Sequence, residues 1–498
     1  MSYELIAAVD LGSNSFRLQV GRVVGNQIDP LDGLKESVRL AAGLRADKTL
    51  DGASQLRGLA ALSRFGERLR GFDPGAVRAV ATNTLRVAKN APEFLEAAEA
   101  ALGFPIEVIA GREEARLIYL GVAHTLPNPK TQQLVVDIGG GSTEFIIGRN
   151  IQPKQLESLY MGCVSYSLRF FPEGRIDKRS LKEAMTAART ELTAIGQTYR
   201  ETGWEEAVGS SGTAKAITDL LELNGLNPDG ALGMTREGLH ALRELMVKVG
   251  SVDRLNLEGL RADRIPVMPG GVAIMSAVFE EFGLERMTFS DGALRLGVLY
   301  DLLGRYHHDD LREATVSQFM NRYEVDRRQA ARVAQTALNL LRQLDPECDD
   351  SHSDAQYLAW AARLHEIGIS VAHASYHKHS AYILANADMP GFSKRDQKRL
   401  SHLVLAQRGK LERLFEVIDE PREWMLIFCL RTAAVLHRAR RDSAFPEVKV
   451  SVSGNGYRLV FDSAWLDEAP LTASALADEK EQWSALGMTL RVQEKRRP

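Results

Sequence analysis

Cysteine is scarce in this sequence. Its 498 residues include three, Cys163, Cys348 and Cys429, which stand far apart and lack the close spacing of metal ligands. Disulfide-rich proteins and zinc domains carry their cysteines in larger, regularly spaced sets. The sequence therefore predicts neither a disulfide framework nor a zinc site, and it favours a reducing compartment such as the cytoplasm.

An excess of charge of one sign is also lacking, as is a long hydrophobic run. The chain carries 62 Lys and Arg against 65 Asp and Glu, so any polyanion site must be a local patch. Residues 1–4 lack the basic start of a signal peptide, and the apolar run at 424–430 is ended by Arg431. We expect a cytoplasmic protein without an integral membrane segment and without a nucleic-acid partner.

The stretch around which the chain is organised lies at residues 134–147. An apolar run ends on Asp137, three glycines and Ser142 follow, and alternating residues then predict a second strand. Glycines let backbone amides approach a ligand, and an aspartate and a hydroxyl suit a phosphate with its metal. This pattern predicts a phosphate-binding hairpin, with an ordinary β-turn as the alternative.

A second copy of this pattern lies near the N-terminus, at residues 5–20. Asp10 matches Asp137, Gly12 matches Gly139 and Ser15 matches Ser142 without a gap. An internal repeat of strand, Asp-x-Gly-x-x-Ser and strand predicts two related lobes. Each lobe would present one hairpin to a shared cleft.

These two motifs carry a family resemblance. Asp-Leu-Gly-Ser-Asn-Ser-Phe at 10–16 and Asp-Ile-Gly-Gly-Gly-Ser-Thr-Glu at 137–144 resemble the phosphate motifs of the exopolyphosphatase and guanosine pentaphosphate phosphohydrolase family. That family belongs to the superfamily of actin, sugar kinases and heat-shock chaperone ATPases. The resemblance implies an α/β fold with two actin-like (ribonuclease H-like) lobes. It implies phosphate contacts from Asp10, Gly12, Ser13, Asn14, Ser15, Gly139, Gly140, Gly141, Ser142 and Thr143.

A further Gly/Ser loop enters a helix at Gly209, Ser210, Ser211 and Gly212. It is not a Walker A loop, because no Gly-Lys-Ser/Thr follows at the required spacing. It resembles the family's loop in the region where related ATPases hold the nucleoside. We include it among the phosphate-binding candidates.

Arg86 follows a predicted strand at 77–81 through Ala-Thr-Asn-Thr-Leu. Strand-to-helix junctions are where α/β folds place ligand groups, and a guanidinium suits bidentate contact with phosphate oxygens. The family resemblance implies that Arg86 is a phosphate clamp. A surface helix arginine is the alternative.

Glu113 and Glu114 open the helix that follows the predicted strand at 106–109. Two acids at a helix start could simply complement its dipole. Helical geometry, however, puts Glu114 on the face of Leu117 and Ile118, whereas Glu113 lies nearer Arg116. Burial raises a carboxylate's affinity for a proton, which suits a general base. The resemblance likewise implies that the second glutamate of Glu-Glu-Ala-Arg is the catalytic base.

Glu144 occupies the place that Arg17 holds in the first repeat. A bare carboxylate beside a phosphate turn would repel the ligand, so we expect Glu144 to act with Asp137 through a divalent cation. An exposed strand glutamate is the alternative. The implied cofactor is Mg²⁺, with a monovalent cation as a further candidate.

Domain organisation is predicted from changes in composition and hydrophobic periodicity along the chain. We predict a first lobe over 1–125, ended by the Pro-rich break at 126–130, and a second lobe over 126–305. Long amphipathic helices predict a helical domain over 306–443, and a hairpin with a helix predicts a small α+β domain over 444–498.

The helical domain resembles the HD phosphohydrolase fold at Arg-Leu-His-Glu-Ile-Gly, residues 363–368. The defining aspartate is replaced by Glu366, and His365 lacks a zincin partner because Ile369 stands at that spacing. We therefore predict an HD-like scaffold with structural histidines. The same domain carries a row of cations, either a solvated helix face or a track for a long phosphate chain: Lys394, Arg395, Lys398, Arg399, Arg408, Lys410 and Arg413.

The functional prediction is an exopolyphosphatase that releases orthophosphate from the end of inorganic polyphosphate. The alternative is hydrolysis of guanosine pentaphosphate (pppGpp) to the tetraphosphate, because the resemblance implies that one site serves both substrates. A nucleotide-binding regulator or kinase of the actin type is a third hypothesis. Similar proteins associate through their helical domains, so a homodimer is expected.

Overall fold

The structure, a computed structural model, describes residues 3–25, 27–126, 130–306, 311–349, 352–418, 420–440 and 448–495. The chain forms two compact units, Met1–Leu311 and Arg312–Pro498. Both helices and sheets are present, so the predicted α/β class is confirmed. The Pro-rich break at 126–130 and the predicted boundaries near 306 and 443 fall on or beside residues outside those described. The finer division into four domains stays a prediction.

The first sheet of unit Met1–Leu311 has the strand order β3-β2-β1-β4-β5. Its strands are β1 (Leu5–Leu11), β2 (Phe16–Val24), β3 (Gln27–Glu36), β4 (Val77–Ala81) and β5 (Ile106–Val108). Its helices are α1 (Gly52–Arg68), α2 (Asn83–Val87), α3 (Ala91–Leu102) and α4 (Gly111–Ala123). Asp51 is the N-cap of α1: its carboxylate accepts a hydrogen bond from the backbone amide of Ser54 at 2.6 Å.

The second sheet of this unit has the order β10-β11-β9-β6-β7-β8. Its strands are β6 (Gln133–Ile138), β7 (Thr143–Arg149), β8 (Gln152–Leu159), β9 (Glu206–Ser210), β10 (Met234–Thr235) and β11 (Arg286–Phe289). Its helices are α5 (Cys163–Phe170), α6 (Lys178–Thr202), α7 (Ser211–Leu223), α8 (Arg236–Val249), α9 (Met268–Phe282) and α10 (Leu294–Tyr306).

The two sheets repeat one topology. Each sheet contains three consecutive antiparallel strands, β1–β2–β3 in the first and β6–β7–β8 in the second. The first strand of each set also pairs with a parallel strand, which pairs with another: β4 and then β5 beside β1, and β9 and then β11 beside β6. Even the register shifts correspond, one between Val20 and Gly21 and the other between Ile147 and Gly148. These positions are related by the offset that aligns Asp10 with Asp137. The repeat predicted from two loops therefore extends over five strands of each lobe.

Three hydrophobic cores hold this unit together. One lies within the first lobe and one within the second, while a third joins both and includes Ile6, Val135 and Val298. Although α10 follows the second lobe in sequence, it packs on α4 and β1 of the first. Close approach of α4 and α10 requires glycine, since a Cβ on Gly297 would lie 1.7 Å from the carbonyl oxygen of Leu117.

Unit Arg312–Pro498 is built from helices and a small sheet of order β12-β13-β14. The helices are α11 (Leu311–Arg322), α12 (Arg327–Leu344), α13 (Ser353–Leu364), α14 (Tyr376–Asn386), α15 (Lys394–Ala406), α16 (Pro421–Leu436), α17 (Ser463–Glu468) and α18 (Pro470–Ala485). The strands are β12 (Lys449–Ser453), β13 (Gly456–Asp462) and β14 (Leu490–Lys495). The predicted hairpin is present, and β14 adds a strand parallel to β13 that the sequence analysis missed.

The small sheet and the helices of this unit share one core. The ring of Tyr457 stacks on Phe428 at 3.9 Å between centroids, and Trp483 packs against both. A three-stranded sheet has too little apolar surface to bury alone, so it completes its core against α16 and α18. Among the described residues of the predicted C-terminal domain, buried apolar side chains such as Tyr457 and Trp483 thus belong to the same core as the helices.

One stretch of the described residues, Ile265–Phe282, is long and apolar enough to cross a membrane. The sequence analysis did not single it out. It begins three residues before α9 and includes all of that helix, and 78% of it is buried inside the protein. Its apolar character is explained by its place at the centre of the second lobe's core.

Candidate active site

The two repeated hairpins meet tip to tip. A Cβ on Gly140 would lie 3.0 Å from the Cβ of Ser13 and 3.2 Å from the amide nitrogen of Asn14. Glycine at 140 therefore permits the contact between the loops. The hairpins have equivalent conformations, since a Cβ on Gly12 would meet the carbonyl of Ser15 at 2.9 Å and one on Gly139 that of Ser142 at 3.0 Å.

Backbone carbonyls of both loops are tied to neighbouring segments. The amides of Arg39 and Ala41 donate to the carbonyls of Asn14 and Ser13 at 2.8 and 2.9 Å. In the second loop, the amide of Val164 at the start of α5 donates to the carbonyl of Gly140 at 3.0 Å. Carbonyl oxygens repel an anion, so this arrangement removes an obstacle to phosphate binding.

A cleft of about 320 Å³ lies at the meeting of the hairpins. The predicted residues that line it are Asp10, Gly12, Ser13, Asn14, Ser15, Glu114, Asp137, Gly139, Gly140, Ser142, Ser211 and Gly212. A volume near 300 Å³ is at the lower end of the range for small-molecule sites. The structure thus brings together loops that are distant in the sequence.

Other predicted residues lie next to the cleft without lining it, as far as the described residues show. Gly141 packs on Asn83, Thr143 donates to the carbonyl of Met161, and Gly209 lies beneath Met234. The remaining ones are Ser210, Glu144 and Arg86. The hydroxyl of Ser210 donates to the carbonyl of Gly292 at 2.8 Å.

Four carboxylates surround the base of the cleft. Asp137 and Glu144 are directly opposite each other on β6 and β7, and Asp10 and Glu114 complete the group. Burial raises the pKa of Glu114 to about 7 and that of Asp137 to about 6, and repulsion from neighbouring carboxylates adds to both shifts. Burial and repulsion from Glu114 and Asp137 hold the pKa of Glu144 well above its usual value.

Glu114 lies where its helical phase predicted, 7% exposed and in the wall of the cleft. Glu113 is also buried, and it pairs with Arg116 at 2.7 Å as expected. Arg86 reaches the same place from α2. Its Nη1 donates to the carbonyl of Ile109 at 2.8 Å and to Glu114 Oε2 at 3.2 Å. Arg86 thus contacts the candidate base directly, and its charge partly offsets the rise in the pKa of Glu114.

The cleft also contains a set of cations that were not predicted from the sequence. Arg17 and Arg295 lie beside Asp10, with Arg295 Nη1 4.0 Å from Asp10 Oδ2. Burial and the charge of Arg295 lower the pKa of Arg17 to about 10. Arg264 packs so closely on Gly212 that a Cβ there would lie 2.0 Å from its Nη2. Arg17 could have been found as the hairpin partner of Asp10, but Arg264 has no local motif.

Polar groups at the start of α2 were also missed. The hydroxyl of Thr84 donates to Ser13 Oγ at 2.7 Å, which fixes the first loop against this helix. Asn83 faces Gly141 of the second loop. The side-chain atoms Asn14 Oδ1, Asn83 Nδ2 and Thr213 Oγ1 are buried here without a hydrogen-bond partner. Such groups are uncommon in proteins and indicate a polar site.

Divalent metal binding is compatible with this donor set. Among the described residues, no group of three or more His, Cys, Asp and Glu side chains has a geometry that could hold a metal ion. Mg²⁺ does not need such a group, because it typically takes one or two carboxylates together with waters and substrate phosphates. The facing pair Asp137 and Glu144 fits that requirement, and a cation there would relieve the repulsion between the buried acids.

The second unit contains the predicted histidines and cations. His365 is 2% exposed, its Nδ1 lies 2.6 Å from the carbonyl of Ala362, and burial lowers its pKa. In the cation row, Arg395, Lys398, Arg408, Lys410 and Arg413 are exposed, and Lys394 is half-buried. Arg399 differs, because it is half-buried, pairs with Asp354 and Glu423 and stacks on Tyr357. It does not extend the exposed row.

Comparison with known proteins identifies the family of this chain. The pattern of the Ppx/GppA phosphatase family matches residues 19–306, and that of domain III of the Ppx/GppA phosphatases matches residues 311–480. The chain belongs to the Ppx/GppA phosphatase family. The resemblance stated from the two phosphate motifs is confirmed.

Two curated relatives of this Ppx/GppA member match along its whole length. A guanosine-5'-triphosphate,3'-diphosphate pyrophosphatase of Aeromonas hydrophila is 39% identical over 498 residues, which cover 98% of this chain and 99% of the relative. One of Pseudoalteromonas translucida is 38% identical and covers 98% of both chains. Both carry the name of the alternative substrate in the sequence analysis.

Solved structures match about 60% of this chain. An exopolyphosphatase from Cytophaga hutchinsonii has a TM-score of 0.55 at 23% identity and covers 60% of this chain and 97% of its own. A family member from Aquifex aeolicus has a TM-score of 0.51 at 26% identity and covers 61% of this chain and 99% of its own. At 23% identity the first likeness shows the fold alone.

Proposed function

We propose that this protein hydrolyses the terminal phosphate of guanosine pentaphosphate, releasing orthophosphate and guanosine tetraphosphate. The observation that carries the proposal is Glu114, a desolvated carboxylate in the wall of a cleft formed by two phosphate-type loops. Guanosine pentaphosphate is proposed as the substrate because the relatives that match nearly the whole chain are named for it. Exopolyphosphatase was the main prediction from the sequence, and the named activity of the relatives favours the alternative, hydrolysis of guanosine pentaphosphate.

The cleft supports an in-line displacement. Glu114 takes a proton from a water, whose oxygen attacks the terminal phosphorus while the bond to the bridging oxygen breaks. The two loops hold the phosphates through their amides and the hydroxyls of Ser13 and Ser142. Arg17 and Arg295 supply positive charge beside the loops, where it stabilises the negative charge of the transferring group.

Arg86 has two parts in this proposal. In the structure its guanidinium is bonded to Glu114 and orients that carboxylate. A bound terminal phosphate would compete for the same guanidinium, which fits the phosphate-clamp role implied by the family resemblance. Release of Glu114 from Arg86 would then strengthen the base, because the arginine lowers its pKa.

Asp137 and Glu144 are the residues that would hold a divalent cation. Such an ion supplies neutralisation of phosphate charge and alignment of the substrate. We expect activity to require Mg²⁺ and to be lost on chelation. Isothermal titration with Mg²⁺ and a non-hydrolysed phosphate ligand, in the protein and in Glu144→Gln, would test these ligands separately from turnover.

The decisive experiment measures phosphate release from guanosine pentaphosphate, long-chain polyphosphate and ATP, each with and without Mg²⁺. We expect the highest kcat/KM for guanosine pentaphosphate, with guanosine tetraphosphate as the second product. Glu114→Gln should lower kcat about 10²–10⁴-fold and preserve substrate binding. Glu96→Gln, an exposed glutamate of α3, is the matched control. Undiminished turnover in Glu114→Gln would remove the assigned base.

Exopolyphosphatase activity is the second candidate. It is supported by the family and by the exposed cations of the second unit, which suit a polyanion. A higher kcat/KM on long-chain polyphosphate than on guanosine pentaphosphate would establish it as the main activity. Tight ATP binding without water-driven turnover would instead favour the regulator or kinase hypothesis. The cytoplasmic location and the homodimer remain expectations, the latter testable by light scattering.

A further inference from the structure

A buried ion network lies behind the helix that carries Glu114. On α4, Arg116 donates through Nη2 to Glu113 Oε1 at 2.7 Å and to Asp301 Oδ1 of α10 at 2.6 Å. Arg78 of β4 donates through Nη1 to the other oxygen of Asp301, Oδ2, also at 2.6 Å. Arg78 also bonds Glu107 of β5 at 3.0 Å. One aspartate thus receives an arginine on each oxygen.

Each element in this network delivers a group to the cleft. The helix α4 carries Glu114 next to Glu113, β4 leads to Arg86, which donates a hydrogen bond to Glu114, and α10 carries Arg295 in its first turn. The carbonyl of Ile109, which follows β5, accepts a hydrogen bond from Arg86. The network therefore joins several elements that carry cleft residues, and it can fix their positions relative to one another.

Stability alone is a weak reason for such a network. Arg78 and Asp301 are 2% and 8% exposed, and desolvating charges costs about as much as their attraction returns. Apolar residues can often replace buried ion pairs without loss. What a planar, two-sided pairing adds is a fixed geometry.

We propose that Asp301 is a positioning residue for the catalytic base. By joining Arg116 and Arg78 it fixes the rotation and height of α4 and so holds Glu114 at its place in the cleft. The close approach of α4 and α10 at Gly121 and Gly297 makes this possible, because it brings Asp301 within reach of Arg116. The inference rests on the proposed function for its kinetic consequence, but its structural consequence can be measured without turnover.

The variant Asp301→Asn tests the proposal, because asparagine offers one acceptor oxygen to two arginines. We expect kcat to fall roughly 10- to 100-fold, since an ångström-scale misplacement of a catalytic group has an effect of that size. KM should stay within about twofold, because the arginines that pair with Asp301, Arg116 and Arg78, lie outside the two phosphate loops. Asp301→Glu, which keeps the charge, should recover part of the loss.

The chain supplies a matched control in its second unit. Asp354 also receives one arginine on each oxygen, Arg399 at 2.5 Å and Arg422 at 2.6 Å, and it is 7% exposed. Asp354→Asn should therefore destabilise its unit comparably and leave kcat unchanged. Equal kcat losses in Asp301→Asn and Asp354→Asn would overturn the proposal, since they would indicate general destabilisation.

A double variant separates positioning from a loss of folded protein. If Asp301 acts through Glu114, Asp301→Asn should change kcat less than twofold in the Glu114→Gln background. A full additional loss in that background would contradict the proposal. If Asp301→Asn does not accumulate as folded protein, Glu113→Gln loosens the same network and should give the same pattern.

Hydrogen exchange provides a readout that is independent of turnover. In Asp301→Asn the amides of α4 should exchange at least tenfold faster, whereas Asp354→Asn should leave them unchanged. Unchanged α4 exchange would overturn the proposal even in an active protein. Faster α4 exchange in a protein that hydrolyses none of the substrates would support the network and refute the proposed function.

Discussion

At the scale of single residues, the site depends on how burial and charge set the proton affinity of Glu114. Its pKa is raised to about 7, chiefly by desolvation; Arg86 opposes the rise, and repulsion from Asp10 and Asp137 adds to it. A carboxylate with that pKa is a better proton acceptor than an exposed one and is still ionised in an appreciable fraction at neutral pH. The protonation state of Glu114 should therefore be visible in the kinetics.

We expect kcat/KM to rise with pH between 6 and 8. Below its pKa Glu114 is protonated and cannot accept a proton from water, so the active fraction grows as pH increases through about 7. Initial rates over pH 5.5–9 would measure this. The residual activity of Glu114→Gln serves as control, since it retains the titration of the substrate. Persistence of the acid limb in that variant would assign it to another group.

Asp137→Asn should stabilise the protein at alkaline pH. The pKa of Asp137 is raised from 3.8 to about 6. At a pH between these two values, the carboxyl is protonated in the folded state and ionised in the unfolded state. Stability from this group is complete below pH 4 and is lost as pH rises through 6. The charge then costs about 3 kcal/mol. Denaturant unfolding should show the variant gaining on the wild type from pH 5 to pH 8, and a constant difference would contradict this.

The positions of candidate site residues could be predicted where one helix or one hairpin decides the direction of a side chain. The phase of α4 was enough to place Glu114 inward, and hairpin pairing was enough to put Glu144 beside Asp137. Arg264 and Asp301 could not be predicted. Their partners, Gly212 and Arg78, are brought to them by tertiary packing that no local pattern records.

At the scale of elements, the sequence predicted strands that have buried faces and missed exposed ones. The hairpins were recognisable because their apolar residues alternate or run together. The edge strand β3 contains Pro30 and Gly33 and is mostly exposed, so its composition resembles a loop. Such a strand forms because β2 offers it a ladder of hydrogen bonds, which is a tertiary cause.

The crossing of α4 and α10 gives a prediction at this scale. Gly297→Ala should destabilise the protein by about 1–3 kcal/mol, because the added methyl would overlap the carbonyl of Leu117 and force the helices apart. Gly52→Ala is the control, since a Cβ there meets nothing within 4 Å and should change stability by less than about 0.5 kcal/mol. Equal unfolding midpoints for the two variants would show that the crossing can relax.

At the scale of the whole molecule, the two units have separate hydrophobic cores. The solved relatives from Cytophaga hutchinsonii and Aquifex aeolicus cover about 60% of this chain and nearly all of their own. In these structures the matched fold occurs without a counterpart of the remainder of this chain. The residues that line the cleft all lie in unit Met1–Leu311.

A fragment of residues 1–311 should therefore fold and retain turnover. We expect a cooperative thermal transition by circular dichroism and a kcat for guanosine pentaphosphate within about tenfold of the full chain, since every group assigned to the chemistry is present. The Glu114→Gln version of the fragment is the control for contaminating phosphatases. An unfolded fragment would show that the second unit is needed for the stability of the first.

The second unit should matter most for long anions. If the exposed cations bind a phosphate chain, replacing Lys398, Lys410 and Arg413 by Ala should raise KM for long-chain polyphosphate and reduce the salt dependence of KM, because fewer counterions are released on binding. KM for guanosine pentaphosphate should not change, because that substrate is too short to need an extended track. The matched control replaces three other exposed cations of this unit, Lys378, Lys480 and Arg491, by Ala. Equal effects of the two triple variants on KM would contradict the predicted track and indicate a general effect of net charge.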